Sequence, residues 1–211
     1  MTPLALAAQT PDIPSSLAAR HLLAGREHQA AGSLPEAIAA YRRGFDAAAI
    51  EGRGPDLVAE LHTKLGNACM LGASLDLAAE SYRAALTLAP HLAACWCNLA
   101  TINLRTGNAQ DAVTLYLQAL KLNPSHWPSR SNLAEALIAT RQHLVAKALL
   151  IELAEERPQD AQVRQRLDKV CHQLNEPQAA LAHFRQAVAL DANDAESLYW
   201  NWRHQPDAWR S

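Results

Sequence analysis

Nowhere does the chain hold the 18 or more consecutive apolar residues that a membrane-crossing helix needs, so no membrane partner is expected. Aromatic residues are scarce, at 5%, which leaves few large side chains to fill a broad core. Charge is nearly balanced, with 19 Lys and Arg against 21 Asp and Glu. That balance argues against a nucleic-acid scaffold, whose footprint is a strongly basic face. The nine His are scattered without a His-x-x-x-His pair, and no Gly-rich phosphate loop occurs, so neither a metal nor a nucleotide site is indicated. No Lys or Arg precedes the short apolar stretch Leu4–Ala8, which is a poor signal peptide. With Pro3, Pro11, Pro14, Ser15 and Ser16, residues 1–17 read as a flexible arm.

Cysteines are few as well: Cys69, Cys95, Cys97 and Cys171. Cys95 and Cys97 lie two apart on one helix, point in different directions and cannot chelate together. Free thiols that pack as small hydrophobes suit a reducing cytoplasm. The expectation is a cytoplasmic protein with no cofactor, no metal and no catalytic residue.

What the chain does have is alanine, roughly a fifth of all residues, which favours helices and their close packing. It also has a period. From Ala93 to His126 apolar and small residues recur at helical spacing over two segments, broken by Gly107 and Asn108 and ended by Pro124. Steps of 34 residues reproduce the pattern, once seven extra residues after the first unit are allowed for. The eighth position of each unit reads Gly25, Gly66, Ala100, Ala134 and Asp168. The twentieth is Ala37, Ala78, Ala112, Ala146 and Ala180 without exception, and the twenty-fourth is Tyr41, Tyr82, Tyr116, Leu150 and Phe184. Small residues at 100 and 112 would let two helices approach closely, with Tyr116 beside them. A lone hairpin cannot bury its apolar face, so copies must stack.

These columns resemble the tetratricopeptide repeat superfamily. The resemblance implies an all-α, right-handed superhelical solenoid of five helix hairpins, at 18–51, 59–92, 93–126, 127–160 and 161–194. An insertion at 52–58 reads as a protruding loop after an extended second helix. Asp160 and Asp194 are expected N-caps. The pattern fails from Ala195, so 195–211 reads as a capping helix and tail, whose Tyr199, Trp200 and Trp202 cannot all face the last hairpin. A homodimer through that aromatic tail is a further expectation.

The family binds partners on the face of its first helices. Carried over by position, a peptide-binding groove here includes Lys64, Asn67, Asn98, Thr101, Arg105, Asn132, Glu135, Arg166, Lys169 and His172, with Arg26 at its edge. Asn98 and Asn132 share one slot in consecutive repeats, similar to the asparagine ladder of O-linked N-acetylglucosamine transferase. An amide both donates and accepts, matching a peptide backbone. The family's carboxylate clamp for chaperone C-termini is incomplete: Thr63, Pro128 and Asn132 stand at cation slots in one window, and Cys97, Thr101 and Gln162 interrupt the next. Asp168 fills a small-residue slot, where Arg164 and His172, four residues away on either side, are expected to pair with it.

The resemblance implies a protein–protein interaction scaffold or adaptor that binds a protein or peptide, and no enzyme. The surplus of cations points to an extended acidic or C-terminal segment. Two alternatives stand beside it: the substrate-recruiting domain of a larger glycosyltransferase-like enzyme, and a self-assembling oligomeric scaffold.

Overall fold

The computed structural model describes residues 16–190. Every regular element among them is an α-helix, and the helices come in hairpins: α1 Leu17–Ala30 with α2 Leu34–Glu51, α3 Pro55–Leu71 with α4 Leu75–Leu88, α5 Ala93–Arg105 with α6 Ala109–Leu122, α7 Trp127–Ala139 with α8 His143–Glu156, and α9 Ala161–Gln173 with α10 Pro177–Leu190. The chain divides after Pro90 into two compact units, the first with two hairpins and the second with three. No helix among the described residues is long and apolar enough to cross a membrane.

One backbone device turns every hairpin. The fifteenth residue of each repeat is left-handed: Gly32 (φ 78°), Ala73 (56°), Gly107 (88°), Arg141 (61°) and Asn175 (57°). The N–H of the next residue then donates to a carbonyl five residues back, as in Ser74 to Cys69 (2.9 Å) and Asn108 to Asn103 (2.8 Å), which satisfies the end of the first helix. Only two of these five residues are glycine, so the hairpin packing outweighs the cost of a left-handed side chain in the other three.

Within a hairpin, the small residue at position eight lies under the large one at position twenty-four. A methyl group on Gly25 would sit 2.3 Å from the Tyr41 ring, and one on Gly66 would sit 2.7 Å from the Tyr82 ring. The alanines at position twenty, from Ala37 to Ala180, are fully buried, as are Tyr41, Tyr82, Tyr116 and Leu150. One apolar core runs from Ala18 to Ala68 in the first unit, and another from Cys97 to Ala180 in the second. All four cysteines are free and buried.

The segment expected as an insertion at 52–58 is largely helix. Only residues 52–54 lie between α2 and α3: Gly52 ends α2 left-handed (φ 61°), and Pro55 opens α3 at a position where its missing N–H costs nothing. The extra residues lengthen α2 and α3 instead of forming a protruding loop. Ser16 and Leu17, placed in the arm from sequence, belong to the start of α1. The Ser16 hydroxyl and the Leu17 N–H both donate to the Glu51 carboxylate at the end of α2, each at 2.6 Å. Asp160 caps α9 by accepting from the Val163 N–H at 3.1 Å. The expectations for residues 1–15, for Asp194 and for the tail, including its Trp and Tyr residues, lie outside the described residues.

Candidate functional site

In each unit the first helices of successive hairpins touch: α1 with α3, α5 with α7, and α7 with α9. The polar residues expected to form the groove lie on these helices. Buried tyrosines from the second helices organise them: each ring fills the hairpin and its hydroxyl emerges among the polar side chains.

In the first unit, the Tyr41 hydroxyl donates to Gln29 Oε1 at 3.0 Å and the Tyr82 hydroxyl donates to Asn67 Oδ1 at 2.7 Å. Both amides therefore have their oxygens committed to a tyrosine. Burial pushes the Tyr41 hydroxyl above its ordinary pKa, with Arg26 pulling it down and Glu60 pushing it up. Arg26, Gln29, Lys64 and Asn67 line one cavity of about 260 Å³, walled by Ala30 and Leu71. Lys64 and Asn67 are thus brought together, with Arg26 and Gln29 beside them.

In the second unit the same position makes a different bond. Thr101 Oγ1 donates to the Cys97 carbonyl at 2.9 Å, so its one proton is spent, and the Tyr116 hydroxyl 2.9 Å away must donate to it. Tyr116 also bonds Asn132. With the phenolic proton used, that bond comes from the Asn132 NH₂. Burial, opposed by these bonds, pushes Tyr116 up to about 12. Arg166 reaches across from α9 to α7, giving Ser131 Oγ a bond of 2.8 Å and Glu135 Oε2 one of 3.0 Å. A polar strip therefore ties α5, α7 and α9 together along one face.

This geometry changes the role expected of several residues. Arg166 was expected to steer partners, but it is paired with Glu135 and only 17% of its side chain is exposed. Thr101 and Asn132 are bound into the tyrosine's hydrogen bonding. Arg105 and Lys169 remain exposed on the same helices, and Asn98 and His172 are half-buried. Asp168 forms no ion pair with Arg164 among the described residues. Its desolvation in the close-packed slot pushes its carboxyl up to about 6, and the nearby His172 only partly offsets that rise.

Sequence reasoning missed Gln29, Ser131 and the tyrosine hydroxyls as parts of the site. The available signal was the aromatic column, which is Tyr, with a hydroxyl at its tip, in the first three repeats and Leu or Phe in the last two. A wider and mostly apolar recess of about 630 Å³ lies along α6, lined by Trp96, Leu115, Leu117 and Leu120. Thr114, Gln118 and Lys121 complete its lining.

Models of the tetratricopeptide repeat family match residues 22–93 and 103–167. The structure resembles that of MamA, with a TM-score of 0.70 and 19% identity over 85% of this chain and 94% of that one. It also resembles YrrB, described as a tetratricopeptide protein with an unusual peptide-binding site, with a TM-score of 0.71 and 14% identity over 88% and 91% of the two chains. Among curated proteins, the mouse (Mus musculus) protein O-mannosyl-transferase TMTC1 is 37% identical over 83 residues. That match spans 39% of this chain and 9% of the length of the transferase.

Proposed function

Because the chain belongs to the tetratricopeptide repeat superfamily, we propose that it is a protein–protein interaction scaffold that holds an extended peptide segment on the face of its first helices. The observation that carries this reading is the strip joining α5, α7 and α9, in which Tyr116 binds Thr101 and Asn132 while Arg166 binds Ser131 and Glu135. These bonds hold the face rigid, and preorganisation lowers the entropic cost of binding. Arg105 and Lys169 are exposed on the same helices, where they can meet a partner. Asn98 suits a peptide backbone, and the two exposed cations favour acidic side chains or a terminal carboxylate. The peptide-binding description of YrrB agrees with this use of the fold.

The test is to capture a partner from the native cell and measure its association with the wild type and with a variant carrying Arg105→Glu and Lys169→Glu. Slower association at unchanged melting temperature, with salt weakening the wild type, supports the reading. Equal binding by the variant, or cross-links confined to the second helices, would remove it.

A second reading is favoured by the match to TMTC1: the array recruits substrate for a transferase domain. Co-purification of a catalytic polypeptide whose activity depends on Arg105 and Lys169 would favour it over a lone adaptor.

A further inference from the structure

Helix α8 turns an apolar stripe to solvent. Leu144, Ala148 and Ile151 follow one another at helical spacing on its outer side, with Val145 beside them. All four are exposed, Leu144 by 74% and Val145 by 57%. The inner side of the same helix is already used, since Ala146, Leu150 and Leu153 are fully buried in the core of the second unit. In each of α2, α4, α6 and α10 the same four repeat positions carry at least two polar or charged residues, such as Glu36 and Arg42 in α2 or Asp76 and Arg83 in α4. The hairpin fold therefore does not require the stripe, and an apolar face kept on one second helix of five reads as a contact surface. Two opposite charges flank it. Arg141, in the turn before α8, and Glu155, in its last turn, are both exposed and stand seven residues on either side of Ala148. Neither forms an ion pair with another described residue, whereas Lys147 is paired with Glu176, and Glu152 and Glu156 with Arg130.

We propose that this face pairs with the same face of a second copy of the chain, the two α8 helices packing antiparallel about a two-fold axis at Ala148. Such a contact must be self-complementary, and this one is. Val145 of one copy meets Ile151 of the other, Leu144 lies along the aliphatic stem of the other copy's Glu152, and the alanine on the axis lets the backbones approach. Arg141 of each copy comes to Glu155 of the other, so that both unanswered charges are paired and the helix dipoles run opposed. A parallel pairing would instead set like charges together at each end. An anionic lipid surface fits the stripe less well, because Glu152, Glu155 and Glu156 rim it at one end. The pairing uses a second helix and none of the residues in the polar strip of α5, α7 and α9, so it stands apart from the peptide-binding reading. One helix pair is a small interface, and the dimer should be weak, with a Kd on the order of micromolar or above.

The test is sedimentation equilibrium of the full chain from about 1 to about 300 µM, a span that brackets the affinity of so small a contact. The expected result is a reversible monomer–dimer equilibrium. Ala148→Glu, which sets two carboxylates on the axis, should weaken it about tenfold or more at unchanged helicity. Arg141→Glu and Glu155→Arg should each weaken it several-fold, and the two together should restore it, because each reversed charge then meets the other. High salt should shrink these charge effects and leave that of the apolar stripe. A chain that stays monomeric throughout overturns the proposal, whether its own residues 191–211 or a different protein covers α8. A dimer indifferent to Ala148→Glu overturns it too, as one formed through another face would be. Failure of the double charge reversal to restore what either single reversal loses overturns the antiparallel pairing.

Discussion

Gly66 lies directly under the buried ring of Tyr82, so that a methyl group at Gly66 would stand 2.7 Å from Cε1. The Tyr82 hydroxyl is held by Asn67 and the residue is fully buried, so the ring cannot swing clear without losing that bond. Repeat four solves the same contact with Ala134 and Leu150, both fully buried. Gly66→Ala should therefore destabilise by ~1 kcal/mol, overpacking outweighing the gain in helix propensity, and Gly66→Val by ~2–3 kcal/mol. In a double-mutant cycle with Tyr82→Leu, the alanine should cost clearly less than it does alone. An additive cycle in denaturant unfolding would mean that the two positions do not compete for space.

Three hairpin turns hold a left-handed residue that is not glycine. Ala73→Gly (φ 56°) and Arg141→Gly (φ 61°) should each stabilise by ~1 kcal/mol, since the strained φ of a side-chain-bearing residue is relieved. Gly107→Ala, at φ 88°, should do the reverse. Thermal melting of the three single variants checks all three signs.

Glu51 joins the end of α2 to the start of α1. Bonds from Ser16 and then Arg53, helped by the Leu17 and Ala18 amides, hold its carboxyl at about 2, below the ordinary 4.5. A depressed carboxyl stabilises the fold above its unfolded pKa, and that contribution disappears as pH falls through the folded value. Protection of the Leu17 and Ala18 amides should accordingly persist at pH 5 and fade toward pH 2. Glu51→Gln should speed their exchange already at neutral pH, with little change elsewhere in the chain.

Asp168 works in the opposite direction. Its carboxyl is raised from 3.8 to about 6 by desolvation. The unfolded chain therefore ionises first as pH rises, and Asp168 costs stability increasingly between those two values and fully above the upper one. Asp168→Ala should raise the melting temperature at pH 7.5 and change it far less at pH 3.5. The gain at pH 7.5 should be ~1 kcal/mol, because solvent screens a partly exposed group. A gain independent of pH would trace the effect to packing instead of charge.

The cations on the second unit's first helices separate by what they touch. Arg166→Glu sets two carboxylates together at Glu135 and strands Ser131, and should cost ~1–3 kcal/mol. Lys169→Glu, on an exposed side chain, should stay within ~0.5 kcal/mol of wild type. Association with a captured partner should nevertheless slow in Lys169→Glu. Chemical denaturation and stopped-flow mixing measure the two effects separately.

Much of the molecule was legible in one dimension. The helices, their turns and the close approach at positions eight, twenty and twenty-four all follow from residues 34 apart, because hairpin packing depends on size and spacing that recur along the chain. Gly107 announced its left-handed turn, whereas Arg141 and Ala73 did not, since neighbouring repeats impose the same hairpin geometry on any residue there. The segment 52–58 misled because Gly52, Gly54 and Pro55 mark helix boundaries without saying that the helices on either side extend to meet them. Which polar residues of the first helices are tied up inside the fold was decided only by the tertiary structure. Arg166 meets Ser131 and Glu135 from 35 and 31 residues away, and the tyrosine hydroxyls choose which end of Asn67, Gln29 and Asn132 faces outward. A residue's type sets which hydrogen bonds it can make, but only the packing of separate helices brings the second partner within reach and so determines which capacity is spent inside the fold.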